Sequence, residues 1–259
     1  MPFGYVSPEQ QMRDKADYAR KGIARGRSVV VLQYEHGILF VAPNPSRALH
    51  KISEIYDKIG FAAVGRYNEF EALRLGGIRY ADINGYNYAR DDVTARGLAN
   101  LYAQNLGQIF TESMKPFEVE IVVAEVGDSS DEDHIYRLTF DGSVFDETSL
   151  VAMGGQAEVV ASRLKERYRE GLPLAEALEA ALFALTEPGG DRPPADQLEV
   201  AVLDRNRSHR KFLRLNGPRL ERLLAKGTEA PPPPPAPAPE TSEAPATAPE
   251  GDIDTGSAG

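Results

Sequence analysis

The chain of 259 residues contains no cysteine. Disulfides, iron–sulfur clusters and thiol catalysis are therefore excluded. Histidine is scarce: His36, His50, His134 and His209 stand far apart, without the spacing that sets two ligands on one metal, so no metal site is expected. No G-x-S-x-G elbow and no P-loop occurs, so neither a serine-hydrolase nor a nucleotide chemistry has its motif, and no cofactor is expected. No stretch is long and apolar enough to span a bilayer, and Met1–Val6 has no signal-peptide core, which agrees with the cytoplasm and with no membrane partner. Positive charge is in deficit: 29 Lys and Arg against 39 Asp and Glu leave a formal charge of −10. A chain of that sign has no general attraction for nucleic acid or anionic lipid.

The deficit is deepest at one end. Residues 228–259 hold nine of the 19 prolines, six acids, no Lys or Arg, and Ile253 as the only large aliphatic residue. Such a segment cannot bury enough apolar surface to offset its ordering entropy. It reads as a disordered acidic tail, partly polyproline II around Pro231 to Pro235. Without the tail's six acids the charge falls to −4, and residues 1–227 have the size of one folded unit.

What is present begins with a helix signal. Ser7 is placed to cap it, Pro8 suits the first turn, Gln10 is placed to close a capping box, and Gly22 is a natural stop. Met12, Ala16, Ala19 and Ile23 give it an apolar face. Val29–Tyr34 and Ile38–Ala42 flank Glu35-His36-Gly37 as a hairpin, and Phe61–Gly65 reads as a buried strand. Helices are expected over 67–88, despite Gly76, Gly77 and Gly85, and over 92–114, with Leu98, Leu101, Asn105, Leu106, Ile109 and Phe110 inward. Strands follow at Val119–Val123, at Tyr136–Phe140 and, as one strand, at Val144–Met153. Two helices carry Val160, Leu164 and Tyr168, then Leu174, Leu178, Leu182 and Leu185. Strands at Leu198–Leu203 and Lys211–Leu215 and a short helix from Pro218 to Leu224 close the chain.

Strand groups and helix pairs segregate here instead of alternating singly, which disfavours a doubly wound parallel sheet. The order favours an α+β fold: a four-layer αββα sandwich, two sheets face to face with helices outside each.

Several blocks of residues resemble those of a known family. Ser7-Pro8-Glu9-Gln10, Tyr18–Arg25, Asn44-Pro45-Ser46-Arg47, Gly65–Phe70 and Met153-Gly154-Gly155 are similar, in order and spacing, to blocks of actinobacterial proteasome α subunits, over residues 1–227. The resemblance implies the N-terminal-nucleophile hydrolase fold in a noncatalytic form. It implies a homo-heptameric α ring that caps a ring of β subunits, gates polypeptide substrates in transit and receives proteasomal ATPase rings and other activators. The chain then divides into a gating segment and helix (1–27), the αββα domain (28–227) and the tail (228–259).

Catalytic relatives need a free N-terminal Thr whose own α-amine takes the proton. The equivalent position here is about Ser28, behind a structured segment, and Val41-Ala42-Pro43 ends without the acid of active subunits. No catalytic residue is expected. The rival is a hydrolase of the same fold with Ser28 exposed by processing.

Between Arg13 and Arg27 lie six basic residues and two acids. Three readings stand: nucleic-acid binding, a solvated helix face, or capture of a peptide's C-terminal carboxylate by a cation in a cleft. The resemblance supports the third, since activator tails meet a lysine between neighbouring α subunits. Lys51 is the first choice for that lysine and Lys58 the second, with Arg25 and Arg20 lining the same cleft. Met1, Pro2, Phe3, Gly4, Tyr5 and Val6 form the expected gate. Asp128–Asp133 lacks the ligand alternation of a calcium loop and reads as a solvated turn. Tyr80, Tyr86 and Tyr88 lack a basic patch, so they read as interface or core rather than as a base-stacking platform. The basic stretch Arg205–Arg214 reads as a solvated strand face.

Overall fold

The computed structural model describes residues 7–46 and 48–229; the expected gate Met1–Val6, Arg47 and positions 230–259 of the expected tail lie outside the described residues. Helix α1 spans Pro8–Ala24, and the Ser7 hydroxyl accepts the Gln10 amide at 3.2 Å. The Gln10 side chain does not close a capping box: it donates to Asp14, one turn on, at 2.8 Å. Gly22 does not stop the helix either. A Cβ there would lie 2.0 Å from Oε2 of Glu118, so glycine at this position permits close approach of α1 to the sheet.

Two antiparallel five-stranded sheets form the centre. One contains β1 (Val29–Tyr34), β2 (Gly37–Pro43), β8 (Leu150–Met153), β9 (Leu198–Asp204) and β10 (Phe212–Leu215), in the order β10-β9-β2-β1-β8. The other runs β3 (Ile52–Tyr56), β4 (Ile59–Gly65), β5 (Val119–Glu125), β6 (His134–Leu138) and β7 (Val144–Glu147) in sequence order. Alternation assigns the faces. Val29 and Val31 of β1 face Ala62 and Val64 of β4 and Val122 and Ala124 of β5 in the inter-sheet core. Val30 and Leu32 point the other way, to helices α4 (Ala157–Arg167), α5 (Leu174–Leu185) and α6 (Gly217–Glu229). Phe61, Ile121 and Val123 meet α2 (Tyr67–Asn87) and α3 (Ala95–Glu112). The result is the four-layer αββα sandwich. Because both faces of each sheet are covered, the middle strands are buried throughout rather than at alternate residues, as β5 is.

Several elements differ from the sequence pattern. Ile52–Tyr56 is a strand that periodicity alone left unassigned, because its outer residues are only partly buried. The expected strand over 144–153 is two: β7 pairs with β6, and β8 pairs with β1 in the opposite sheet. Helix α3 begins at Ala95, capped by Thr94, whose hydroxyl accepts from Gly97 N at 3.1 Å. On that helix Asn105 faces solvent and Tyr102 is the buried residue. The last helix runs past Leu224 to Glu229.

Candidate functional site

Strand register decides which residues gather at each end of the sandwich. One end collects the start of β1, the end of β2, the end of β8 and the start of β9 from one sheet, with the start of β3 and the end of β4 from the other. Lys51 stands there, immediately before β3. Lys58 sits in the β3–β4 turn at the opposite end, one strand length away, roughly 20 Å at about 3.3 Å per residue.

Their surroundings differ as much as their positions. The Lys51 ammonium donates to the carbonyl oxygen of Arg27 at 2.8 Å. Its backbone N–H donates to Glu199 Oε2 at 2.9 Å, and its carbonyl accepts from Ala63 N at 2.9 Å. Burial pushes its pKa down to about 8; the negative Glu199 opposes the shift and the Arg27 guanidinium adds to it. Lys58 bonds Glu125 at 2.9 Å, and Glu125 also accepts Ala95 N at 2.6 Å. Burial works against the Lys58 ammonium, but the hydrogen bond and charge of Glu125 outweigh it and raise the pKa.

Arg27, whose carbonyl oxygen takes the Lys51 ammonium, lines a cavity of about 540 Å³ that Lys51 itself does not line. Its walls are the α1–β1 link (Ala24 to Ser28), Pro43, the turn Gly155-Gln156 and the loop after α5, including Glu187 and Asp191. Arg25, the C-cap of α1, lines it, as does Arg27. Both are exposed, and among the described residues neither guanidinium forms an ion pair. Gly154 and Gly155 seat the link: a Cβ on Gly154, whose φ is +105°, would stand 3.0 Å from Ser28 Cα, and one on Gly155 would stand 2.2 Å from the Ala24 carbonyl oxygen. Arg20 is not brought to this cavity. It projects from the outer face of α1, pairs with Asp17 at 3.1 Å and lies 5.7 Å from the Phe140 ring centroid.

Two residues that sequence reasoning did not single out belong here. Arg27 was visible only as part of a basic run. Glu199 had a clearer signal, as the one acid inside the apolar run Leu198–Leu203. The acidic turn is exposed over Asp128 to Glu132, as expected, but its last residue and three residues of the basic stretch are paired. Asp133 is buried against Arg205 at 2.8 Å, Arg210 pairs with Glu54, and Arg214 with Glu199 at 2.6 Å. Tyr80 packs against the α2–α3 core, whereas Tyr86 and Tyr88 are exposed. Among the described residues no group of three or more His, Asp or Glu gathers as a metal site, and no helix is long and apolar enough to cross a membrane.

The sequence model of a family described as proteasome subunits matches residues 23–203. The chain is 90% identical over 259 residues to "Proteasome subunit alpha" of Streptosporangium roseum, covering 100% of this chain and 99% of that protein. It is 70% identical over 228 residues to the protein of the same description from Thermomonospora curvata, covering 88% of this chain and 99% of that one. The Streptomyces coelicolor protein of that description is 63% identical over 231 residues, covering 87% and 91%.

Proposed function

We propose, because this chain belongs to the proteasome subunit family and to its α subunits, that it is the noncatalytic gate and docking subunit of the proteolytic core. In this reading it forms heptameric outer rings on β subunits, templates their assembly and admits polypeptides to the chamber. It receives the C-termini of a cytoplasmic ATPase ring or other activators, in the degradation of tagged proteins. Residues 1–27 serve as gate and helix, 28–227 as the domain and 228–259 as an appended tail.

The noncatalytic part rests on Ser28. Its nitrogen is an amide, joined to Arg27 behind α1, and the Arg27 carbonyl is itself bonded by Lys51. An amide nitrogen has no basic lone pair, so the proton acceptor of an N-terminal nucleophile is missing. Pro43, at the end of β2, supplies no carboxylate.

The observation that carries the docking part is the contrast between the lysines. Lys51 gives its ammonium to the neutral carbonyl of Arg27, whose unpaired guanidinium lines an open cavity with that of Arg25, and an ammonium has donors to spare for a second acceptor. Lys58 is neutralised by Glu125. Lys51 with Arg25 and Arg27 therefore form the anion-accepting set, and Lys58 and Arg20 stand outside it. The test is activator-stimulated peptide hydrolysis by the α/β complex. Lys51→Ala should assemble normally and keep basal hydrolysis while weakening each docked tail by roughly ten- to a hundred-fold, the loss of one charge-assisted hydrogen bond. Stimulation lost in Lys58→Ala but kept in Lys51→Ala would reverse the assignment. Deleting Met1–Val6 should raise basal hydrolysis; an unchanged rate in an intact complex would remove the gate from this segment.

A further inference from the structure

Glu199 is a carboxylate inside a strand that is otherwise apolar, and it is almost wholly buried. Its oxygens accept from Lys51 N at 2.9 Å, Ile52 N at 3.2 Å, Asn44 Nδ2 at 2.8 Å and Arg214 Nη1 at 2.6 Å, and His50 Nδ1 lies 3.2 Å away. Asn44, His50 and Lys51 belong to the connection from β2 to β3, and Ile52 opens β3. Asn44 continues the network within that connection: its Nδ2 reaches the Leu49 carbonyl at 2.7 Å, and its Oδ1 accepts Ser46 N at 3.1 Å. Arg214 closes the ring by donating to the Ile52 carbonyl at 2.7 Å. A loop of mixed polar residues is thus wound on one buried charge.

We infer that Glu199 is the positioning residue of the docking site, holding the β2–β3 connection so that the Lys51 ammonium is presented at the Arg27 carbonyl and the cavity beside it. This rests on the docking reading given above. Two physical features favour positioning over simple filling of space. The carboxylate grips the backbone nitrogen of Lys51 itself, so the root of the side chain is fixed as well as its tip. A buried charge seldom adds stability beyond what an apolar residue of equal size would give, so stability alone does not account for it. Glu199 also acts through space. The groups facing Lys51 are Glu199 from β9 and Arg27 from the α1–β1 link, with His50 and Arg214 against Glu199. Glu199 is the negative member of that set, and it favours the charged amine that a carboxylate ligand requires.

The test compares wild-type, Glu199→Gln, Glu199→Asp and Lys51→Ala α/β complexes. The probe is a synthetic peptide with a free C-terminal carboxylate, set against the same peptide as its C-terminal amide. A second readout is the titration of Lys51 as its ¹³C-dimethyl derivative, with the resonance assigned by its loss in Lys51→Arg. Glu199→Gln should weaken the carboxylate peptide at least about tenfold, leave the amide peptide unchanged and move the Lys51 midpoint to lower pH, since a neutral amide no longer favours the ammonium. Glu199→Asp keeps the charge and should restore most of the midpoint while docking stays partly impaired. Wild-type docking and an unmoved midpoint in Glu199→Gln overturn the inference and leave the docking reading intact. Wild-type docking by Lys51→Ala removes the docking reading instead, and the midpoint then still reports whether Glu199 holds Lys51. If Glu199→Gln fails to assemble, Asn44→Ala replaces it, with a loss of about threefold expected from one neutral hydrogen bond and no loss overturning the proposal.

Discussion

The two ends of the sandwich differ in how many of their cations meet a carboxylate. At the β3–β4 turn four basic side chains have acidic partners, Lys58 with Glu125, Arg90 with Asp57, Arg205 with Asp133 and Arg210 with Glu54, while Lys211 and Arg207 donate to backbone carbonyls. At the other end Lys51 meets a carbonyl, and Arg25 and Arg27 face a cavity without an ion pair among the described residues. The strands between the ends are the same strands, so the difference does not arise from the fold class. It arises from which side chains the loops bring together. Paired charges there lock loops onto the core, whereas unpaired cations beside a concavity retain attraction for an anion from outside.

If the paired end serves stability, its deepest pair should show the largest effect. Arg205→Ala leaves the Asp133 carboxylate buried without its cation and should destabilise the fold by about 3–5 kcal/mol. Thermal denaturation of the assembled complex measures this, and a small shift with normal assembly would break the comparison at its strongest point. Docking by the surviving complex should be unchanged.

The second contrast is in pH. If Lys51 receives the carboxylate, docking needs its charged form, and burial pushes its pKa down to about 8. Affinity for a carboxylate-ended peptide should be level below that pH and fall above it, approaching roughly tenfold per unit. Lys51→Arg should bind more weakly at neutral pH but lose the decline, because guanidinium stays protonated. The stability effect has its own sign. The folded pKa lies below the unfolded value, so the charged amine opposes folding below about pH 8, and that opposition is relieved as pH rises from there to the unfolded lysine pKa. A docking profile flat from pH 7 to 9.5 would remove Lys51 as the cation.

Lys58→Ala should give the reverse pattern to Lys51→Ala, with a loss of about 1–3 kcal/mol of stability from a buried Glu125 left only the Ala95 amide, and no loss of docking. Ser7→Ala gives the smallest effect. It removes the N-cap at the far end of α1 from Arg25 and should lower stability by about 1 kcal/mol, leaving peptide affinity as it was. A docking defect in that variant would mean that the cavity responds to α1 as a whole rather than to its C-terminal link.

Much of the fold was legible because apolar periodicity reports burial on one face. The N-cap Ser7, the β1–β2 hairpin and helices α4 and α5 all follow from it. The misread elements are those where burial and period separate. The run 144–153 divides at a sheet crossing that no local pattern marks, and Ile52–Tyr56 is half exposed along an edge strand. Gly22 looked like a helix stop because glycine usually is one; only Glu118, far along the chain, explains it. Of the candidate site, Lys51 and Arg25 were recognisable as cations near the first strand. Their separation from Lys58 and Arg20 was not, because distance along the chain says nothing about which end of a sheet a residue reaches.

The sequence by itself determined the layer order, the absence of thiol chemistry and the family, since composition, periodicity and residue blocks are local properties carried by each segment alone. Only the tertiary structure decided that Lys51 meets Arg27 and Glu199 while Lys58 meets Glu125. Hydrogen bonds and desolvation depend on neighbours brought together by strand register, and register between sheets is fixed by packing in the core rather than by any one stretch of chain.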